Sequence, residues 1–496
     1  MSKDTPIPEI DQLVQRAHEA FLTFKGIDIK RRAAFMHQVA DEIEALGPEL
    51  IRAAQSETNL PEARLAGEKA RTVFQWRSYA DALSSGNMLD VRIDTADAGR
   101  TPPKPDVRKT YVGLGVVAVF GASNFPFAFS TAGGDTASAI AAGCPVIIKT
   151  HPGHPETSAL MATAIKTAVR KAGLPDGLFA EVRSDGFEGG QHLVSHPLVK
   201  AVGFTGSFAG GKALYDLASK RPEPIPVFAE MGSVNPVFLL PNKLEHAAEE
   251  TAKQYAASLM LGVGQFCTNP GILAAPNHPG LDRFLNTLRS QIIEAAPAPM
   301  LHAGIASAYA KKKTELLSQQ GVEVLASVAE TNTEGHGHAA VATVKASQFL
   351  ANEQLAHEVF GPFGLLVIYD TADEATAIAE ALDGQLTVSV LAEQDDIKNN
   401  ERLIQALTDK CGRLLLNGFP TGVEVCYAMQ HGGPYPATTD NRFTSVGPDA
   451  IRRFARPISY QNWPDEFLPN ELKDANPLGI WRTVNGALTK EPAPRG

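Results

Sequence analysis

Cysteine is scarce in this chain, which has only Cys144, Cys267, Cys411 and Cys426 among 496 residues. They form no Cys-x-x-Cys pair and have no histidine at metal-ligand spacing, so neither a disulfide framework nor a metal site is expected. No apolar run reaches the roughly 18 residues of a membrane-spanning helix. Residues 1–12, MSKDTPIPEIDQ, lack the basic-then-apolar pattern of a signal peptide. We therefore expect a cytoplasmic protein with free thiols.

Basic residues are also in deficit. The sequence has 45 Lys and Arg residues against 55 Asp and Glu residues, a formal net charge of −10. This balance argues against nucleic acid or an anionic membrane as the main partner. Internal repeats and low-complexity segments are absent from the sequence as well. The expected partner is therefore a small molecule.

The pattern of apolar segments predicts the fold class. The first ninety residues look mostly helical, and residues 88–112 look extended around a Pro-rich turn. From residue 113 short apolar strands such as GVVAVFGA and CPVIIKT alternate with helical segments, and a second alternating block runs from about 230 to 430. This alternation predicts an α/β fold with parallel, doubly wound sheets.

One predicted strand is followed by a glycine turn and a helix, in VGFTGSFAGGKALYD (202–216). Gly206 and Gly211 would let the backbone approach a phosphate at the helix N-terminus. The pattern is not GxGxxG, and glycines in such turns also serve helix packing. Lys149 ends another strand, where parallel sheets bind ligands, although a solvated surface lysine fits the pattern equally well.

Three further turns carry polar side chains. Asn124 in SNFP is either a turn former or a donor to a developing oxyanion. Glu230 in FAEMGS is either a surface carboxylate or a buried base with a raised pKa. Glu358 and Phe360 in HEVFGP mark either a plain strand entry or a ribose acceptor beside a ring that packs on a planar group.

Cys267 lies in the stretch GQFCTNPG, from Gly264 to Gly271. A free cysteine is most often buried and inert. Thiolate chemistry needs access and a polarising environment, and the loop setting favours access. The local sequence alone leaves both interpretations open.

In their order along the chain, these segments resemble the aldehyde dehydrogenase superfamily. The shared elements are SNFP, the strand-terminal Lys149, FTGS, EMG, GQFC and EVFGP. Further segments, KTHPGHPETS, RPEPIPVFAEMGSVNP, HGGPYPATTDNRFTSVG and NPLGIWR, look like the NADP-preferring α-ketoglutaric semialdehyde dehydrogenases of that superfamily. The resemblance covers nearly the whole chain.

The resemblance implies a role for each matching residue. Cys267 would attack an aldehyde to form a thiohemiacetal, and hydride transfer would leave a thioester. Asn124 and the Cys267 backbone N–H would form the oxyanion hole. Glu230 would activate water to release the acid. The positions that would contact NADP, with NAD as the alternative, are Lys149, Gly206, Ser207, Gly211, Glu358 and Phe360.

The implied reaction is oxidation of 2,5-dioxopentanoate to 2-oxoglutarate, and a medium-chain aliphatic aldehyde is the alternative substrate. The expected pocket residues are mainly aromatic. Arg442 is the nearest candidate for binding a carboxylate, although a structural arginine is the favoured interpretation of this residue. A CoA-acylating relative would do without Glu230, and a non-catalytic binding protein would have lost Glu230 or Cys267. The six expected pocket residues are Phe125, Phe127, Phe266, Phe419, Pro420 and Phe443.

Two departures from the family pattern affect the cofactor and the nucleophile. Many NAD-using relatives carry a carboxylate where this chain has Pro152, so NADP is the preferred cofactor here, with Lys149 and His151 or His154 as possible cations. Many relatives also place a lysine near the thiol where this chain has Gly-Gly-Asp at 133–135. The activation of the cysteine is therefore open.

The resemblance also implies a domain organisation. Residues 1–87 and 113–229 would form the Rossmann-type cofactor domain, and residues 230–430 the catalytic domain. Residues 88–112 and 431–496 would form oligomerisation and bridging segments. An extended arm of this kind favours a homodimer or homotetramer.

Overall fold

The computed structural model describes residues 4–329 and 333–494. Its helices are α1 (Ile7–Phe24), α2 (Ile29–Ala45), α3 (Pro48–Thr58), α4 (Glu62–Ser84), α5 (Gly134–Ala142), α6 (Pro155–Lys171), α7 (Glu188–Ser195), α8 (Phe208–Ser219), α9 (Pro241–Met260), α10 (Leu281–Ile293), α11 (Ala303–Leu317), α12 (Ala346–Leu350), α13 (Ala372–Ala381), α14 (Gln394–Asn399) and α15 (Glu401–Thr408). Its strands are β1 (Arg92–Asp94), β2 (Val107–Gly113), β3 (Val116–Phe120), β4 (Val146–Lys149), β5 (Phe179–Val182), β6 (Val199–Thr205), β7 (Val227–Glu230), β8 (Val237–Leu239), β9 (Ile272–Pro276), β10 (Ala298–Pro299), β11 (Glu323–Ser327), β12 (His336–Gly337), β13 (Ala340–Lys345), β14 (Phe363–Tyr369), β15 (Gln385–Leu391), β16 (Cys411–Leu416), β17 (Ala455–Gln461), β18 (Arg482–Val484) and β19 (Ala487–Thr489).

A five-stranded parallel sheet occupies the first half of the chain, in the order β5-β4-β3-β6-β7. Its central strand β3 is buried along its whole length, as expected for a parallel sheet covered on both faces. Phe120 is in register with Lys149 of β4, and Thr205 of β6 is in register with Glu230 of β7. The predicted cofactor lysine and the predicted base therefore lie at the same carboxyl edge of one sheet.

A seven-stranded sheet follows, in the order β11-β13-β14-β9-β8-β15-β16. Its strands are parallel except for β11, which pairs antiparallel with β13. Helix α9 precedes β9 in the chain, and a short 3₁₀ turn, Leu261–Gly264, leads from α9 towards Cys267. The predicted α/β class is confirmed, and the nucleophile candidate lies between a helix of this sheet and its central strand.

The predicted extended segment 88–112 forms β1 and β2 of a third sheet, in the order β17-β2-β1-β18-β19. Strand β2 pairs antiparallel with β17, and β1 pairs parallel with β18. The arm is therefore paired within its own chain, with residues 455–489 of the tail. None of the helices among the described residues is both long enough and apolar enough to cross a membrane.

Candidate active site

The loop that carries Cys267 is held in an unusual backbone conformation. Gly262, Val263 and Gly264 have φ angles of 57°, 58° and 63°, in the left-handed region. A β-branched valine adopts this region at a cost of about 1–2 kcal/mol. A Cβ atom on Gly264 would overlap the backbone of Gly361, so only glycine fits where these two backbone segments approach each other. Packing against the Glu358–Gly361 segment therefore fixes the backbone conformation of the turn that precedes Cys267.

Three chemically active side chains converge at this loop. The Nε2 atom of His431 lies 3.7 Å from the Cys267 sulfur and 3.1 Å from Oε1 of Glu230. The Cys267 sulfur, one ring nitrogen of His431 and one carboxylate oxygen of Glu230 all lie within 4.8 Å of one another. Glu230 and His431 are 3% and 1% exposed, whereas Cys267 is half-buried. The thiol therefore lies between a dry acid–base pair and the open side of the site.

The charges of this cluster set the protonation of the sulfur. Burial raises the pKa of Cys267 well above its usual value, and the charge and hydrogen bond of Glu230 raise it further. Burial would also raise the pKa of Glu230, but the charge of His431 and hydrogen bonds from His431, Ser445 and Cys267 lower it. Cys267 is thus a thiol in the free enzyme, beside an ionised carboxylate that can receive a proton.

His431 is a site residue that the sequence did not single out. Its backbone N–H donates to Oγ1 of Thr444, and the hydroxyl of Ser445 donates both to Glu230 and to the His431 carbonyl. Its signal in the sequence was the segment HGGPYPATTDNRFTSVG, which marked the family likeness and opens on this histidine. A buried histidine distant in sequence from the cysteine was invisible until the fold joined them.

Asn124 reaches the same loop from the turn after β3. Its Nδ2 donates to the carbonyl of Gln265, at 3.1 Å, and leaves a second N–H for another acceptor. The turn is fixed from α4, because the carboxylate of Glu68 accepts the backbone N–H groups of Phe127 and Ala128. Asn124 is therefore positioned beside the loop Gly264–Gly271, which we call the nucleophile loop after its candidate nucleophile Cys267.

Asn235 supports the nucleophile loop and was not predicted. It is fully buried with a positive φ of 44°, and its Nδ2 donates to the carbonyl of Cys267 at 2.8 Å and to that of Asn269 at 3.0 Å. Its Oδ1 accepts from the hydroxyls of Ser233 and Thr387. This network holds the Cys267 backbone from the core side, which leaves its N–H side to the site.

The Gly-Gly-Asp segment at 133–135 has a packing role. Oδ1 of Asp135 accepts from Arg453 at 2.7 Å, and both side chains are largely buried. A Cβ atom on Gly134 would overlap the amide of Gln75. A lysine side chain therefore has no counterpart here, and His431 is the basic side chain that lies beside the thiol.

The cofactor-side candidates gather at the exposed end of the five-stranded sheet. Ser207 caps α8 by accepting from the N–H of Gly210, at 3.2 Å, and the first turn of this helix is exposed. A Cβ on Gly206 would meet the Phe204 ring at 2.7 Å, and one on Gly211 would meet Met231 at 2.6 Å. A side chain at either position would displace Phe204 or Met231, so these glycines allow close packing and leave the helix N-terminus open to an anion.

Lys149, His151 and His154, the three cation candidates for a 2′-phosphate, differ in their burial and in their hydrogen bonds. His154 is fully buried, and its ring nitrogens lie 2.9 Å from the Ala122 carbonyl and 3.1 Å from the Ser158 hydroxyl. Burial lowers the pKa of His151 to about 3, so this ring is neutral. Burial also lowers the pKa of Lys149, which ends β4, from its ordinary value of 10.5. Lys149 is therefore the one of the three that remains a cation source.

Glu358 and Phe360 lie on the other side of the nucleophile loop and line one small cavity with Ser233 and Asn269. Burial raises the pKa of Glu358 to about 7. Its carboxylate lies against Gly232, where a Cβ atom would overlap it. A carboxyl group held this way is suited to accept from hydroxyl groups when it is ionised.

Two pocket expectations are corrected by the structure. Phe127 is fully buried in the hydrophobic core and does not line the site. The side chain of Arg442 is 77% exposed and is held by Asp440, so it is not a buried carboxylate clamp. Phe125 and Phe266 do meet near the nucleophile, with ring centroids 5.6 Å apart.

Known proteins are similar in sequence to this chain along most of its length. The model of the aldehyde dehydrogenase family matches residues 4–451. The chain is 49% identical over 480 residues to "Alpha-ketoglutaric semialdehyde dehydrogenase 2" of Azospirillum brasilense, covering 96% of this chain and 91% of the relative. It is 46% identical over 488 residues to the "Alpha-ketoglutaric semialdehyde dehydrogenase" of Acinetobacter baylyi, covering 98% and 92%.

Solved structures share the fold at low identity. Aldehyde dehydrogenase 21 from Physcomitrella patens, in complex with succinate, superposes with a TM-score of 0.77 at 18% identity, covering 92% of this chain and 91% of that one. A 1-pyrroline-5-carboxylate dehydrogenase superposes with a TM-score of 0.76 at 20% identity, covering 92% and 86%. The family match along most of the chain and the two relatives of high identity show that the protein belongs to the aldehyde dehydrogenase family and is an NAD(P)-dependent oxidoreductase that acts on aldehydes.

Proposed function

We propose that this enzyme oxidises 2,5-dioxopentanoate to 2-oxoglutarate with NADP⁺ in the cytoplasm. The observation that carries the proposal is the buried cluster of Cys267, Glu230 and His431, in a chain 46% and 49% identical to α-ketoglutaric semialdehyde dehydrogenases. The cluster brings together a nucleophile, Cys267, and the Glu230–His431 pair, which can accept a proton from the thiol and from water. The free state of all four cysteines supports a reducing compartment.

In the first half-reaction the thiol of Cys267 gives its proton to the Glu230–His431 pair, and the sulfur bonds to the aldehyde carbon. The electrons of the carbonyl π bond move to oxygen, where the second N–H of Asn124 and the Cys267 backbone N–H stabilise the charge. One such donor contributes roughly 3–4 kcal/mol to the transition state. The product of this step is a thiohemiacetal on Cys267.

A bound NAD(P)⁺ would supply the hydride acceptor for the carbon that is held on Cys267. The residues around the site fit such a cofactor. The exposed N-terminus of α8 and Lys149 suit its phosphates, and the half-buried Glu358 and Phe360 suit a ribose and a planar ring. Loss of the hydride leaves a thioester on the sulfur.

The proton taken from the thiol passes to solvent, which returns Glu230 to its ionised form. In the second half-reaction Glu230 takes a proton from a water molecule, and the resulting hydroxide attacks the thioester carbon. The carbon–sulfur bond breaks, the acid leaves, and the sulfur recovers a proton. Glu230 suits this role because it is ionised, is 3% exposed, and is oriented by Ser445 and His431.

NADP⁺ is proposed over NAD⁺ because the position three residues after Lys149 carries no charge. Pro152 is exposed and removes the repulsion that a carboxylate would exert on a 2′-phosphate. Lys149 lies at the same strand end and supplies the positive charge. The kcat/KM values for the two cofactors test this, and a preference for NAD⁺ would overturn it.

The sheets suggest a division of labour and an assembly. We propose that residues 1–87 and 113–229 bind the cofactor, that 230–430 carry the nucleophile, and that 88–112 with 431–496 mediate a homodimer or homotetramer. Support comes from large apolar side chains that are 49–69% exposed on the tail segment, namely Trp463, Phe467, Trp481 and Leu488. Light scattering that gives a monomer would contradict the assembly.

A medium-chain aliphatic aldehyde is the second candidate substrate, since the rings of Phe125, Phe129 and Phe266 pack edge to face at 5.3–5.6 Å beside the nucleophile loop. NADPH formation measured with 2,5-dioxopentanoate, succinic semialdehyde, butanal and hexanal distinguishes the two. The proposal expects kcat/KM to be highest for the aldehydes with a distal carboxylate. A preference for hexanal would favour the second candidate.

A further inference from the structure

Two arginines from different domains hold the same short loop beside the active site. Arg413 of β16 donates to the carbonyls of Pro420 and Gly422, each at 2.8 Å. Arg71 of α4 donates to the carbonyl of the next residue, Val423. Because Gly422 and Val423 are consecutive residues, both guanidinium groups are anchored on the same 420–423 loop.

Neither arginine has a counter-charge in contact. Among the described residues, no carboxylate forms an ion pair within 4.0 Å with Arg71 or Arg413, and the Nε atom of each is buried without a hydrogen-bond partner. Arg108 and Arg453 have carboxylate partners, whereas the buried Arg32, Arg221 and Arg482 donate to backbone carbonyls, as Arg71 and Arg413 do. Two half-buried cations at one loop, with no carboxylate in direct contact, provide a positive site that an anionic ligand can complete.

Both arginines belong to the surroundings of the nucleophile. On α4, Arg64, Glu68 and Arg71 follow at the i, i+4 and i+7 positions of one helix face. The Arg64 guanidinium lies 4.4 Å from the Phe125 ring centroid and 5.5 Å from that of Phe266, the neighbour of the cysteine. Glu68 holds the turn that carries Asn124. The face that presents Arg71 is thus the face that covers the catalytic turn.

The pKa shifts of Arg71 and Arg413 are consistent with a position of both groups near Cys267. Burial lowers the pKa of Arg71 and of Arg413; charges on Tyr79, Glu68, Cys267 and Glu424 raise the pKa of Arg71, and a charge on Cys267 raises that of Arg413. A charge effect on both groups requires that Cys267 lies within electrostatic reach of each.

We propose that Arg71 and Arg413 together bind the carboxylate at the far end of the aldehyde substrate. Their planar guanidinium groups offer paired N–H donors of the kind that recognise a carboxylate in a two-point manner. The clamp places the aldehyde end at Cys267 and selects short semialdehydes over neutral aldehydes. It takes the place of Arg442, which is exposed and bound to Asp440. The inference rests on the proposed function, since it names the groups that read its substrate.

The test compares Arg71→Gln and Arg413→Gln with Arg442→Gln as the matched control, each with succinic semialdehyde and with butanal, which has the same chain length without the carboxylate. A charged hydrogen-bonded contact is worth about 1.5–3 kcal/mol, so KM for succinic semialdehyde should rise roughly 10- to 100-fold in either clamp variant. KM for butanal, and both constants in the control variant, should stay within about twofold of the wild type.

An equal loss on both substrates would overturn the clamp and show that the arginines only hold the loop. If a glutamine variant fails to fold, Arg71→Lys and Arg413→Lys keep the charge but lose the fork, and the clamp then expects a smaller loss confined to succinic semialdehyde. A wild-type enzyme that does not prefer succinic semialdehyde over butanal would instead contradict the proposed function. In that case, protection of Cys267 from iodoacetamide by 2-oxoglutarate, present in the wild type and lost in the Arg71 and Arg413 variants, would still support the clamp, and its absence would overturn it.

Discussion

The nucleophile side and the cofactor side of this active site are built in opposite ways. Around Cys267 the partners Glu230, His431 and Asn235 are 0–3% exposed and cross-linked by hydrogen bonds to one another's loops. Around Lys149 and Ser207 the helix N-terminus is exposed, and its glycines only pack against Phe204 and Met231. The first side is held by its own side chains, although Nδ1 of His431 and, apart from its contact with His431, Oε1 of Glu230 have no hydrogen-bond partner among the described residues. The second side offers an exposed helix end and a lysine.

Because of this difference, substitutions on the two sides should affect the enzyme in different ways. A change in the buried cluster removes a group that bonds to the reacting atoms and leaves others unpaired, which is expensive in a dry site. A change at the exposed cofactor edge removes a screened contact that water replaces. We therefore expect large effects on turnover from the first side and modest effects on cofactor affinity from the second.

The largest effect is expected for Cys267→Ala. Without the nucleophile, NADPH formation should fall by roughly 10⁴-fold or more, because the covalent route is lost. NADP⁺ binding, measured by fluorescence titration, should change less than about twofold, because the cofactor residues are untouched. Cys426→Ala, a half-buried cysteine elsewhere in the chain, is the matched control. Retained turnover in Cys267→Ala would refute the nucleophile assignment.

Glu230→Gln should separate the two half-reactions. Steady-state turnover should fall about 10²- to 10⁴-fold because water is no longer activated, while a single burst of NADPH survives. The charge of Glu230 raises the pKa of Cys267, so its removal should move the pH midpoint of iodoacetamide labelling to lower pH. An unchanged steady state would place the base elsewhere.

His431→Gln tests the residue that the sequence did not reveal. Loss of the group 3.7 Å from the sulfur should slow the burst itself by about 10²-fold and shift thiol labelling to higher pH. His192→Gln, at a histidine on α7 bonded to Asp11, controls for loss of a histidine as such. A burst as fast as in the wild type would show that His431 only fills space.

On the cofactor side, Lys149→Ala should raise KM for NADP⁺ about 10-fold and change KM for NAD⁺ less, because only NADP⁺ carries the 2′-phosphate. Lys212→Ala, at an exposed lysine paired with Asp216, is the control. Equal changes for both cofactors would show that Lys149 does not discriminate between them.

The smallest effect concerns pH. The pKa of Glu358 is raised to about 7, so its carboxyl group is mostly neutral below pH 7 and ionised above it. A neutral carboxyl accepts less well from ribose hydroxyls, so KM for NADP⁺ should rise a few-fold as pH falls through 7. Glu358→Gln should show a higher but flat KM across this range. A wild-type KM independent of pH between 6 and 8 would exclude this role.

The sequence anticipated most of the α/β alternation because each strand is a short buried apolar run between turns, as β3 and β14 show. It also anticipated the extended segment 88–112, but not its pairing with residues 455–489, since strand pairing depends on contacts hundreds of residues apart. Periodicity specifies which face of an element is buried. It does not specify what lies against that face.

The same limit applied to the site. The order of the motifs, through the family resemblance, predicted Cys267, Glu230 and Asn124 as site residues, whereas the local sequence around each left a structural interpretation open. His431 and the Arg71–Arg413 pair were missed, because a buried histidine or a loop-bound arginine looks ordinary until the fold brings it to the sulfur. Arg442 is exposed and bound to Asp440, two residues earlier in the chain, and the sequence did not show that this pair lies at the surface.

The central claim is that Cys267 carries the acyl group and that Glu230 delivers the water that removes it. Mass spectrometry of Glu230→Gln, quenched after one turnover with NADP⁺ and 2,5-dioxopentanoate, tests it most directly. The account predicts a thioester adduct of the substrate's acyl group on the peptide that contains Cys267, with about one NADPH formed per site. NADPH formation without an adduct on that peptide would contradict it.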